Sequence, residues 1–174
     1  MSKIQIAQAD ICTLSVDMIV CPTIFEENLQ KTNIETRIHQ KAGSELLKEK
    51  QILAHLTNQY PQITKGYKLF AKQVLHISFP HTQQESAQDK AKLSKCYKEA
   101  LKIAIAAGAK SVGFPCFEIE GFSQKTIANI AYKTTKNFLL NNFKLEKVYF
   151  VDLDTKNLEP YKVAALAVKE PIKV

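Results

Sequence analysis

Residues 9–20 read ADICTLSVDMIV and residues 34–49 read IETRIHQKAGSELLKE, and these two stretches decide the architecture. Just ahead of and into the first, residues 4–10 (IQIAQAD) alternate apolar and polar side chains, the period-two pattern of a half-buried strand. Within it, VDMIV (residues 16–20) is a short, nearly continuous apolar run, as expected of a central strand buried on both faces. In the second stretch Ile34, Ile38, Ala42 and Leu46 recur every four residues and make an apolar helix stripe. Thr32-Asn33-Ile34-Glu35 at its start fits the S/T-x-x-E capping box. Gly43 interrupts the helix and marks a close packing point.

Further along, residues 56–66 read as a loop, and YKLFA (67–71) with VLHISF (74–79) as two strands of a hairpin. Residues 81–89 are a polar loop ending in an N-cap at Asp89. Leu93, Cys96, Tyr97, Ala100, Leu101, Ala104 and Ile105 form the apolar face of a helix that stops at Gly108. SVGFPCF (111–117) is a buried strand. Ser123 caps a helix carrying Ile127, Ile130, Ala131, Thr134 and Phe138. KVYFVDL (147–153) is the last strand, and a helix over about 159–168 closes the chain. Strands alternating with helices predict a three-layer α/β/α sandwich with a mixed, mostly parallel central sheet. Residues 1–168 are expected to form one domain and residues 169–174 a short tail. Ligands of such sheets bind beyond the carboxyl ends of the strands, here after Cys21, Phe79 and Phe117.

The 174 residues suffice for one sizeable core, and 45% hydrophobic with 24% charged residues is an ordinary globular balance. No apolar run approaches the ~20 residues of a membrane span, so no membrane association is expected. The N-terminus lacks the apolar core of a signal peptide, which predicts a cytoplasmic location. Cys12, Cys21, Cys96 and Cys116 make no CxxC pair, and His39, His55, His76 and His81 make no HxxxH or HExxH pattern. Buried reduced thiols are expected, with no metal site and no cofactor. The net charge is +7 and the pI about 9.2. Of the 24 basic residues only Arg37 is arginine. The other 23, all lysines, are spread along the sequence, and nucleic-acid sites favour arginine for bidentate and stacking contacts. A nucleic-acid or other polyanion partner is therefore not the favoured expectation.

Four blocks, in order, resemble the macro domain, a family of ADP-ribose-binding modules. ADICTLSVDMIV is similar to its GDIT…VDAIV segment, and RIHQKAG (37–43) to its AIH.AAG helix. ITKGYKLFAKQVLHISFP (63–80) is similar to its T.GY.L….IH…GP strands, and SVGFPCFEIEGFSQ (111–124) to its S.AFP…..G.FG loop. The resemblance covers roughly residues 4–161. It implies an adenine side at Asp10 and Ile11, the carboxylate accepting from the exocyclic amine. By residue identity alone Asp10 serves equally as a turn cap. Cys21, Asn33 and Ile34 fall on the first phosphate and distal-ribose loop, and Gly121, Phe122 and Ser123 on the second. Glu35 matches the position where hydrolytic members carry an aspartate, which implies a general base. Its place in the capping box explains it without a ligand. Cys21 reads as a buried thiol and not a nucleophile, and His39 as a packed helix histidine.

Both loops depart from the family. The asparagines of NAAN become CPTI (21–24), and the glycines before the helix become KTN (31–33). Glycine there reaches positive φ and lets N–H groups approach phosphate. Around Gly121 the flanking residues are Glu120 and Ser123, with Glu118 nearby. If the extended pattern continues, one of the two glutamates faces inward. A carboxylate ~4 Å from a phosphate costs about 1–4 kcal/mol between bulk water and an effective dielectric near 20. The favoured expectation is a non-catalytic module with a degenerate ADP-ribose or adenine-nucleotide cleft, its occupant a small nucleotide or a protein segment. The alternatives are a hydrolase of ADP-ribosyl or O-acetyl-ADP-ribose substrates acting through Glu35, and a lysine-based polyanion binder.

Overall fold

The computed structural model describes residues 3–23, 32–56 and 61–169. Ile24, Asn28 and Lys31 of the first loop, and residues 170–174 of the expected tail, lie outside the described residues. The elements in chain order are β1 (Ile4–Gln8), a 3-10 turn (Ile11–Thr13), β2 (Met18–Pro22), α1 (Asn33–Ala42) and α2 (Ser44–Leu56). Then follow β3 (Gln62–Lys65), β4 (Gln73–Ile77), α3 (Ala87–Ala106), β5 (Ser111–Pro115), α4 (Gln124–Asn141), β6 (Lys147–Asp152) and α5 (Thr155–Lys169). The sheet order is β1-β6-β5-β2-β4-β3. β3 runs antiparallel to β4, and the other neighbours are parallel.

All five residues of β2 are buried, as its unbroken apolar pattern predicts. Met18 and Val20 join the core under α3, α4 and α5, and Ile19 and Cys21 join the core under α1 and α2. Period-two alternation in one strand thus sends side chains into both helical layers, and the three-layer mixed sandwich is the observed fold. Phe114 stacks on Phe150, with centroids 5.5 Å apart, and Phe150 meets Tyr161 of α5 at 5.1 Å. No helix among the described residues is long and apolar enough to cross a membrane.

Four local expectations change. The helix read over residues 34–49, interrupted at Gly43, is two helices, the second running to Leu56, because Gly43 ends α1 at φ +88°, a conformation that costs a side-chain-bearing residue. The hairpin lies earlier than the apolar pattern suggests. Residues 67–71 form a tight turn in which Gly66 N–H bonds the Lys72 carbonyl and Lys68 N–H the Ala42 carbonyl, while β3 occupies residues assigned to a loop. α3 is capped by Ser86, whose hydroxyl accepts the Asp89 N–H at 3.1 Å and donates to the Asp89 carboxylate at 2.7 Å. Asp89 is therefore the third residue of a reciprocal box and not the cap. α5 begins four residues ahead of the expected start, since the Asp154 carboxylate accepts the Lys156 N–H and caps it.

The loops after β4 and β5 are stitched together at one edge of the sheet. Thr82 N–H bonds the Glu120 carbonyl at 3.1 Å, and Gly121 has φ +86°. A Cβ on Gly121 would lie 1.7 Å from the Thr82 carbonyl oxygen. Close backbone approach therefore demands glycine here with no ligand present. Gly121→Ala is expected to destabilise the protein by roughly 2–5 kcal/mol, from left-handed strain plus overpacking. Urea unfolding checks this, and a loss below about 1 kcal/mol would mean that the two loops part freely.

Candidate functional site

β1, β6, β5 and β2 are parallel, so their carboxyl ends share one edge. The paired register of β2 with β4 runs from Met18 to Pro22, but that of β2 with β5 covers only Met18 and Ile19. Toward the carboxyl edge β2 and β5 part, which makes a crevice of the kind in which open α/β sheets hold ligands.

Asp10 lies two residues beyond β1 and caps the 3-10 turn, accepting the Cys12 N–H at 3.0 Å. The sole arginine of the chain, Arg37 of α1, reaches the same carboxylate with both arms of its fork. Nη2 stands 2.5 Å from Oδ2, and Nε 3.4 Å from Oδ1. Burial alone would raise the Asp10 carboxyl, but the hydrogen bond from Arg37, the Cys12 N–H and the Arg37 charge hold it below the ordinary carboxylate value. The side chains are 17% and 38% exposed. Asp10, Ile11, Ile34, Arg37, Pro115 and Asp152 are among the residues around a cavity of about 70 Å³. Small-ligand sites usually enclose ~300–1,000 Å³, so the space is a notch and not a full nucleotide pocket. Asn33 opens α1 with its side chain exposed.

Glu35 is turned inward. Its backbone N–H donates to the Thr32 hydroxyl at 3.0 Å, the capping contact read from the sequence. Its carboxylate is 1% exposed and lies 3.3 Å from Lys50 Nζ of α2, itself only 13% exposed. Such a pair is stable only while both partners remain, and removing one leaves a buried charge costing about 3–5 kcal/mol. Cys21 is fully buried close by, and burial followed by the Glu35 charge pushes its thiol up to about 12, which leaves no thiolate at neutral pH. Cys21 is in register with His76 of β4. The His76 ring is fully buried, 3.0 Å from the Thr64 hydroxyl, with the His39 ring centroid 5.9 Å away. Burial, then the Lys50 and His39 charges, lowers His76 to about 3, so it stays neutral.

At the second loop, residues 116–123 are not a continuing strand, and Glu118 and Glu120 are both exposed with Ile119 buried between them. The expected inward glutamate is thus absent from this loop. An acid from another loop takes its place. Glu85, after β4, accepts the Ser123 N–H through one oxygen and the Thr126 hydroxyl, at 3.0 Å, through the other. These donors belong to the N-terminus of α4, where an anion is favoured by unsatisfied N–H groups and the helix dipole. The Ser123 N–H bond, more than the neighbouring hydroxyls, lowers the Glu85 carboxyl. The Ser123 hydroxyl caps α4 by accepting the Thr126 N–H at 3.1 Å, and Phe122 is buried in the core.

The structure brings Asp10, Ile11 and Ile34 together, keeps Asn33 at the start of the same helix, and sets Gly121, Phe122 and Ser123 on the stitched loop. It keeps Glu35 and Cys21 beneath the surface. Sequence reasoning missed Arg37, Lys50 and Glu85. Arg37 carried a signal as the lone arginine, whereas Lys50 was one lysine of many and Glu85 one acid of a polar loop.

Comparison with known proteins agrees with this geometry. The family model described as Macro domain matches residues 26–131. The O-acetyl-ADP-ribose deacetylase of Escherichia fergusonii is 31% identical over 166 residues, 92% of this chain and 93% of that protein. The Oceanobacillus iheyensis macrodomain with ADP superposes at a TM-score of 0.81 and 24% identity, covering 94% of this chain and 90% of that one, a likeness of fold. The Trypanosoma brucei macrodomain in complex with ADP-ribose does so at 0.80 and 26%, covering 94% and 69%.

His76 gives the buried layer a pH signature. Its folded value, about 3, lies below the ordinary 6.5, so between those limits the unfolded chain binds a proton that the folded one refuses. Stability is expected to fall as pH drops from 6.5 toward 3. His76→Gln removes that component, and urea midpoints across this range should fall less steeply in the variant. Parallel curves would mean that His76 takes up its proton while folded.

Proposed function

The chain belongs to the macro domain family, and from that premise we propose that it binds an adenine nucleotide of the ADP-ribose class at the carboxyl edge of the sheet and does not turn it over. The observation that carries the second half is the buried Glu35–Lys50 pair. A general base must reach the proton it abstracts, and the one candidate carboxylate is sealed under α1 against a lysine.

The binding half draws on the ligands of the macrodomain relatives and on Asp10. Arg37 keeps Asp10 ionised in the free protein, and an ionised carboxylate has about four acceptor sites, enough to keep the Cys12 N–H and take an exocyclic amine in place of the fork. Ile11 and Ile34 are apolar walls suited to a purine ring. The notch is smaller than a nucleotide, so entry requires Arg37, the more exposed partner of the pair, to swing aside. On the phosphate side Cys21 offers only backbone, Asn33 its exposed amide, and the stitched loop the backbone N–H groups of Gly121 and Ser123, since that of Phe122 donates to the Ile119 carbonyl at 3.1 Å. Glu85 already holds one of these, so a diphosphate must displace a carboxylate to use it. Weak binding follows, with the adenine side supplying most of it.

Calorimetric titration with ADP-ribose and with adenosine tests this. Glu85→Gln is expected to tighten ADP-ribose several-fold and leave adenosine unchanged, since only the phosphates meet the removed charge. Absence of heat with both ligands, for the wild type and for Glu85→Gln, would overturn the binding half. Turnover of O-acetyl-ADP-ribose that Glu35→Gln abolishes in a folded protein would overturn the non-catalytic half and assign the activity named for the Escherichia fergusonii relative.

A further inference from the structure

The lysines that are spread along the sequence are not spread evenly over the molecule. α3 and α4 together hold eight lysines against two acids, Asp89 and Glu99, and so account for six of the chain's seven net positive charges. α4 contains no acid. The two helices are tied by a 2.9 Å bond between the Ser94 and Thr134 hydroxyls, and along their seam runs an open groove of about 770 Å³. Lys98 and Lys102 line it from α3, four residues apart and so on one helix face. From α4, Asn129, Lys133, Asn137 and Asn141 line it at the same spacing over ~18 Å of helix axis. No carboxylate lines this groove, and it shares no lining residue with the notch at Asp10. Phe143, 79% exposed, belongs to a separate hollow with Lys3, Tyr132 and Leu140, where Lys3 Nζ lies 5.4 Å from its ring centroid.

Two features select an occupant. The lysines ask for an extended anion, since a row of like charges without acids is unfavourable unless neutralised. The asparagine row offers donors and acceptors together, which base edges match. The acidic side chains of a peptide present only acceptors and leave the amide oxygens to its backbone N–H groups alone. We propose that the α3–α4 groove binds single-stranded nucleic acid, with Lys98, Lys102 and Lys133 against phosphates and the asparagines of α4 against the open edges of unpaired bases.

The test is fluorescence anisotropy of the full chain with a labelled single-stranded RNA of mixed sequence, with polyglutamate as competitor. Three neutralised phosphates give a log–log salt slope near −2, an affinity loss of about 20-fold between 50 and 200 mM salt. Lys98→Glu with Lys133→Glu is expected to weaken binding at least ~10-fold, and Asn137→Ala with Asn141→Ala several-fold. Lys48→Glu with Lys162→Glu, an equal change of charge on α2 and α5, is expected to leave it unaltered. Melting temperatures confirm that the variants fold. RNA binding that ignores the groove substitutions, or is absent at low salt, overturns the proposal. Polyglutamate competing as well as unlabelled RNA also overturns it and gives the groove to an acidic polypeptide. None of these outcomes depends on whether the Asp10 cleft takes a nucleotide.

Discussion

The structure depends on one constraint: β2 has no exposed residue, so its backbone must find its partners within the sheet. β4 pairs it along its whole length, and β5 only at its amino end. This unequal pairing closes the sheet at one end and opens it at the other. The crevice is therefore a product of strand register, and it needs none of the loop residues that give a nucleotide site its affinity. Fold and site are separable here in a literal sense. The aromatic stack of Phe114, Phe150 and Tyr161 lies in the layer under α3, α4 and α5, on the face of the sheet away from Glu35 and Lys50.

Within the crevice the charged groups already have partners. Asp10 holds Arg37, Glu35 holds Lys50, and Glu85 holds the start of α4. A ligand-free protein has to satisfy its buried polar groups internally, and here acids and cations that a ligand might use are spent on one another. Any nucleotide must exchange these contacts for its own, so its affinity is the difference between two sets of interactions and not the sum of the new ones. The cost is uneven. Arg37 is partly exposed and moves at little expense, whereas separating Glu35 from Lys50 leaves a charge in the core. This ordering favours an opening at the adenine end over an active carboxylate at the ribose end.

Periodicity was readable in the sequence because burial enforces it. The strand β1 and the Ser123 cap of α4 appear where expected, and β2 begins two residues after the start of the apolar run at 16–20. The reading failed where local chemistry had two solutions. Ser86 and Asp89 are both good capping residues, and only the reciprocal bonds show which is the cap. The apolar residues of 67–71 resemble a strand, yet Leu69 and Ala71 are buried from a turn held by Gly66. At the site, Asp10 and Glu35 were legible as carboxylates at set offsets, but their partners were not. Arg37 lies 27 residues from Asp10 and Lys50 15 from Glu35. Pairings of that separation are set by how α1 and α2 pack, which no local pattern encodes. Glu85 is the clearest case, 38 residues from the N–H it accepts.

The charge distribution separates the two faces further. In the crevice Asp10 and Glu35 are neutralised by Arg37 and Lys50, and Glu85 is held by uncharged donors, while the excess lysines lie on α3 and α4. Lys133 is nine residues into α4 and so ~13 Å along its axis from the first turn. That exceeds the Debye length of ≈ 8 Å at physiological ionic strength, so the basic groove does little to offset Glu85 at the helix start. A diphosphate in the crevice gains little from the chain's net charge, and a polyanion in the groove loses little to the acids of the crevice. Each surface therefore answers to its own nearest residues. The groove is sensitive to salt through uncompensated lysines, and the crevice is sensitive to substitution through Arg37 and Glu85.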